Sequence, residues 1–155
     1  MVTWTEFEAA APELAAEGRR LIYARGDGEA LLASVRGDDL PRIHPINVGV
    51  VDGHLYAFVI VKSAKLADLE QDGRYAMHTH VDPARPSEFS IRGRARLIYT
   101  QALRTAVGEQ WYFQIDGSYA LFEFSIDSAL LGVRPTAADW PPRYTRWVSP
   151  EVAPA

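Results

Sequence analysis

The chain contains no cysteine. That excludes a disulfide framework, a thiolate metal site and a cysteine nucleophile, and it fits a reducing compartment. Basic residues are in deficit: 16 Lys and Arg against 20 Asp and Glu leave a net charge of −4. A general nucleic-acid binder needs a clustered basic footprint instead. No apolar run approaches the roughly 20 residues of a membrane-spanning helix. The opening Met1-Val2-Thr3-Trp4-Thr5-Glu6-Phe7 has neither the basic start nor the apolar stretch of a signal peptide. The expectation is a cytoplasmic protein. The dinucleotide fingerprint is missing too, because Gly26-Asp27-Gly28 is followed by Glu29-Ala30-Leu31 where a third glycine is required. It reads as a turn.

What is present is an ordinary globular composition, 48% hydrophobic and 23% charged, in 155 residues without a compositional break. One domain over 1–155 is expected. Residues 1–24 predict helix. Thr3 and Glu6 form a capping-box pattern, Pro12 suits the first position of a second helix, and Leu14, Gly18, Leu21 and Ile22 share one face. Strand patterns follow at Ala30 to Val35, Arg42 to Val51 and His54 to Val61, with Asp52-Gly53 as a hairpin signal. Ser63 to Gln71 reads as a short helix stopped at Gly73. Further strands are predicted from Arg74 to Val81, Glu88 to Tyr99, Tyr119 to Ile126 and Leu130 to Val133. A helix is predicted from Gln101 to Phe113. Residues 140–155, rich in proline and aromatics, read as an extended segment. Many short strands with few helices predict a mainly β barrel or curled sheet.

The predicted helix after the third strand carries the chemistry. Its entrance reads Lys62-Ser63-Ala64-Lys65, and its later turns hold Asp68, Glu70 and Asp72. That is the reverse of what a helix dipole favours. An anion at the entrance would make the lysines favourable and would use the free N–H groups and the Ser63 hydroxyl; a phosphate monoester fits. The competing reading pairs Lys65 with Asp68 or Glu70 in solvent. In the preceding strand Pro45 donates no ladder bond and marks an edge, a bulge or a close approach. Asn47, two residues on, offers both donor and acceptor on the same side, as the pyrimidine edge of an isoalloxazine ring requires; the plainer reading, favoured on the residues alone, leaves Pro45 on an exposed edge with Asn47 facing water.

Read in order, Pro41-Arg42-Ile43-His44-Pro45, the Asp-Gly hairpin, Ser63-Ala64-Lys65-Leu66-Ala67-Asp68-Leu69, Asp72-Gly73-Arg74-Tyr75-Ala76-Met77-His78 and Ile91-Arg92-Gly93-Arg94-Ala95 form one series. The series resembles the pyridoxamine 5′-phosphate oxidase-like, FMN-binding split-barrel superfamily, over about Leu31 to Leu97. The resemblance implies a six-stranded antiparallel split barrel that forms a homodimer with flavin sites at the interface. It puts the FMN phosphate at Ser63 and Lys65. The oxidases carry an arginine directly before that lysine, whereas this chain has Ala64, with Lys62 as a substitute. The strand from His44 through Pro45, Ile46 and Asn47 to Val48 would line the flavin ring. The oxidases end in an Arg-x-His pair that grips pyridoxal phosphate. Arg143-Tyr144-Thr145 stands there in this chain, so that named activity is not expected. Trp140, Tyr144 and Trp147 would either stack on a ligand or pin the C-terminal segment; Trp147 is carried as a cofactor contact.

The implied activity is an FMN-dependent oxidoreductase acting on a small molecule, with a deazaflavin-dependent variant. The rival from another class is a non-catalytic barrel storing flavin, haem or another planar ligand. No catalytic residue is assigned. His78, His80 and Asp82, with His44, have the residue types of a metal site, but they read first as a pair near the barrel mouth or a dimer contact. Arg92, Arg94 and Arg96 form a basic stripe, read mainly as a solvated face paired with carboxylates, with Arg92 or Arg94 reaching a cofactor tail across the dimer as the minor option. A nucleic-acid-binding barrel is the third reading, with the net charge against it.

Overall fold

The computed structural model describes residues 1–152. Two helices open the chain, α1 (Trp4–Ala10) and α2 (Pro12–Ile22). Thr3 and Glu6 close the predicted capping box, and Pro12 opens α2. Leu14, Gly18, Leu21 and Ile22 all turn inward. Gly18 lies against the Phe89 ring, where a Cβ would approach within 2.5 Å.

Nine strands follow: β1 (Glu29–Val35), β2 (Pro41–Asn47), β3 (Gly49–Val51), β4 (His54–Ile60), β5 (Arg74–His78), β6 (Glu88–Ile98), β7 (Tyr119–Phe124), β8 (Ser128–Val133) and β9 (Arg143–Val148). Helix α3 (Ala64–Gln71) stands between β4 and β5, and α4 (Gln101–Glu109) between β6 and β7. The strands pair antiparallel in the order β2-β1-β5-β6-β7-β4-β3, and β8 and β9 branch from β6.

The path begins at β2 and ends at β3, which are neighbours in the chain. The predicted strand Arg42 to Val51 is therefore one strand bent at Val48. Its first half pairs with β1, and its second half pairs with β4. Counted that way, six strands close the ring. The count of six omits β8 and β9, and β9 is the segment read from sequence only as extended. Residues 153–155 of that segment lie outside the described residues. Three boundaries also differ from expectation. Strand β8 begins at Ser128, ahead of Leu130. Strand β5 stops at His78, where Thr79 takes over bonding to the Phe89 carbonyl. Helix α4 stops at Glu109, because Gln110 and Trp111 bond back to Val107 and Gly108 and Tyr112 donates to the Val48 carbonyl.

Strand β6 serves both half-sheets. Arg92 pairs with Ser128 of β8 on one side of Gly93, and Ala95 pairs with Phe124 of β7 on the other. The main core is apolar, built on Trp4 and Phe7 of α1 with Leu32, Phe89, Phe122 and Phe124 of the strands. Among the described residues no helix is long and apolar enough to cross a membrane.

Candidate functional site

Ser63 caps α3: its hydroxyl accepts from the Leu66 N–H at 3.3 Å and donates to the Ile60 carbonyl at 2.7 Å. That hydroxyl is committed to the cap, so Ser63 shapes the helix entrance. The N–H groups of Ala64 and Lys65 have no carbonyl within the helix to bond. No acidic residue occupies the first turn of α3.

Lys65 does not pair with Asp68 or Glu70. Its ammonium crosses to β2 and donates to the Pro45 carbonyl at 2.7 Å. Burial pushes its pKa below the ordinary lysine range. Lys62 is exposed beyond the helix.

Strand β2 pairs only with β1 and is a free edge. Val48 N–H bonds the Gly28 carbonyl on the β1 side, whereas the Pro45 carbonyl turns to Lys65. Main-chain polar groups alternate along a strand, so those of Ile43, Pro45 and Asn47 all look away from β1. Side chains alternate as well. Arg42, His44 and Ile46 turn inward, and Ile43, at 70% exposure, faces out with Pro45. Pro45 and Lys65 thus meet at the outer mouth of α3 and β2, with Asn47 two residues along the same side of β2 and Lys62 just ahead of the helix cap. His44 and Ile46 lie beneath it.

The residues beneath form a polar cluster that sequence reasoning missed. Asp68 Oδ2 accepts from the Ser34 hydroxyl at 2.8 Å, with Arg42 Nε at 3.5 Å and His44 Nε2 at 3.8 Å. Ser34 Oγ lies 3.3 Å from His44 Nε2. Burial depresses the His44 pKa, the charges of Lys65 and Arg42 add to that, and Asp68 pulls the other way. The available signal was weak: Asp68 stands three residues from Lys65 on one helix, and Ser34 sits at an inward position of β1.

Trp147 is not brought to this mouth within the chain. It lies on β9, with β1, β5, β6 and β8 between it and β2, and its ring packs on Phe7 at 5.0 Å. Tyr144 donates to Glu88 at 2.9 Å, and Trp140 lies under the Arg134 guanidinium. His78 is held by the Thr79 carbonyl and faces Glu88, and among the described residues no cluster of three or more His, Asp or Glu converges. Of the arginine stripe, Arg96 pairs with Glu123. Arg92 bonds Ser128 and, with Arg146, lines an outer groove of about 250 Å³.

Among the described residues, little space is left inside the ring. The cavity between Ile22, Val48, Met77, Phe89 and Ile91 measures about 10 Å³, the space of one water. That cavity is far too small for a flavin or haem.

No family model matches the sequence, and no curated protein sequence does. Solved structures do match. A pyridoxamine 5′-phosphate oxidase-like protein from Listeria innocua superposes with a TM-score of 0.57 at 17% identity, covering 73% of this chain and 94% of that one. The heme storage protein HutZ from Vibrio cholerae gives 0.60 at 12%, covering 79% and 96%. A heme-binding protein from Mycobacterium smegmatis gives 0.60 at 15%, covering 84% of this chain. The chain shares the fold of these proteins, a split barrel. The chain spans 57% of the length of the mycobacterial protein.

Proposed function

We propose that this split barrel binds FMN at the mouth formed by α3 and β2, and works as a cytoplasmic, homodimeric flavin-dependent oxidoreductase on a small molecule. The observation that carries the reading is the Lys65–Pro45 contact beside the open first turn of α3. The residues present fit the cofactor's phosphate: a cation, two free N–H groups, a second lysine nearby and no acid in that turn. Lys65 and the α3 amides would hold the phosphate, with Lys62 supplying the charge that Ala64 omits. Asn47 and the outward main-chain groups of β2 offer donors and acceptors to the ring's polar edge. FMN, when bound, supplies the electron transfer; the protein supplies binding, orientation and exclusion of water. A filled barrel leaves the ring on the outer wall, which supports a second copy as its far side. A deazaflavin in place of FMN would use the same mouth with a longer anionic tail.

Titration of the purified chain with FMN, followed by flavin fluorescence, tests this. Saturable binding that Lys65→Glu abolishes is the expected result. No binding at tens of micromolar FMN, which corresponds to about −6 kcal/mol, would sink the proposal. Haem is the second reading, favoured by two similar structures described as heme-binding and heme storage proteins. A Soret band on haem titration, without FMN binding, would establish it. Turnover with a reduced nicotinamide or deazaflavin donor separates an enzyme from a carrier.

A further inference from the structure

We infer that Asp68, buried in α3, is a positioning residue for Lys65; its ligand rests on the FMN reading above, its geometry does not. The two residues stand three apart on one helix and project from the same side of it. Lys65 reaches Pro45 on β2. Asp68 reaches Arg42 and His44 on the same strand, and Ser34 on β1. The Asp68 side chain is only 8% exposed and that of His44 15%. A carboxylate so buried is tolerated only with partners around it: Ser34 donates a hydrogen bond, Arg42 adds an ion pair at 3.5 Å, and His44 stands 3.8 Å away. Helix α3 therefore cannot slide or rotate on β2 without stranding that charge. The direction of Lys65 is set from one turn further along the helix. Ser34, at 1% exposure, lies buried beneath the mouth.

Asp68→Asn keeps the size and removes the charge. NMR titration of the full chain reads two neighbours directly. His44 should titrate lower still, because Asp68 is the group that pulls it up. Lys65 should return toward the ordinary lysine range as its helix loosens and burial relaxes. FMN affinity should fall about tenfold, the size of one lost hydrogen bond to a charged group. That loss should vanish in a Lys65→Gln background, since the effect acts through Lys65. Leu69→Ala, a truncation of the buried Leu69 on the same helix, controls for simple destabilisation and should leave both titrations in place. If Asp68→Asn fails to fold, Ser34→Ala removes one donor to the same carboxylate; with the Asp68 charge kept, it is read on the Lys65 titration and FMN affinity alone. An unchanged Lys65 titration, or additive losses in the double variant, overturns the inference. A wild-type chain that binds no FMN while Lys65 still responds to Asp68→Asn sinks the flavin reading alone.

Discussion

The ammonium nitrogen of Lys65 lies 2.7 Å from the main-chain oxygen of Pro45, so an edge strand holds the cation at the entrance of α3. The contact has a pH consequence. Burial lowers the Lys65 pKa, and only the ammonium form donates to a phosphate with charge assistance. FMN affinity is expected to be flat near neutrality, then to fall as pH rises through the lowered value, ahead of ordinary lysine. Lys65→Arg, charged throughout that range, should extend the flat region. Fluorescence titrations at a series of alkaline pH values check this. An identical decline in Lys65→Arg would remove Lys65 as the titrating group.

Glu123 forms a second buried ionic centre, away from the mouth. Its carboxylate meets His54 Nδ1 at 2.6 Å and the Arg96 guanidinium on its other oxygen. Burial pushes the Glu123 pKa up, but the hydrogen bonds from Arg96 and His54 outweigh it and hold the group below 4.5. The unfolded chain then takes up the proton more readily than the folded one. The resulting stability is present above the ordinary glutamate value and lost as pH falls through the depressed one. Glu123→Gln should cost about 1–3 kcal/mol near neutral pH and flatten the acid limb of stability. Urea melts across the acid range measure both. Curves superimposed on wild type would mean the centre contributes nothing.

The ring strands and the α3 charge reversal were legible because each rests on local pattern: alternation, an Asp-Gly turn, lysines at a helix entrance. Asp52 and Gly53 both adopt positive φ, at 47° and 78°, as that hairpin turn requires. What could not be read depends on partners far apart in sequence. His54 and Glu123 are separated by 69 residues, and nothing near either one announces the other. The bend at Val48 was equally hidden, because an apolar run through a corner looks like one straight strand. Strand β9 lacks alternation in its burial, being exposed over its first four residues, so only its pairing with β8 identifies it.

Gly93 marks the point where β6 passes from one half-sheet to the other. A Cβ there would stand 2.0 Å from the Ser125 carbonyl oxygen, and that obstacle is backbone, which cannot rotate away. Tyr75, whose hydroxyl donates to the same carbonyl at 2.7 Å, would lose its partner if the strands parted. Gly93→Ala should therefore destabilise by about 3 kcal/mol, the upper end of the usual overpacking cost. Thermal unfolding reads the loss. A change under half that size would mean that the backbone at Ser125, just past β7, gives way locally.

Trp147 distinguishes a C-terminal strand that serves the core from one that serves the cofactor. Its ring is half-buried and lies 5.0 Å from that of Phe7 at an interplanar angle of 50°. Trp147→Ala should cost about 2 kcal/mol, less than full truncation of a buried aromatic. Trp147→Phe should recover most of that and leave FMN affinity unchanged, since four strands separate the residue from β2 within one chain. Parallel urea melts and FMN titrations on both variants decide the matter. If Trp147→Phe keeps its stability but loses FMN, the ring contacts a flavin held at the mouth of a second copy, and β9 belongs to the binding site.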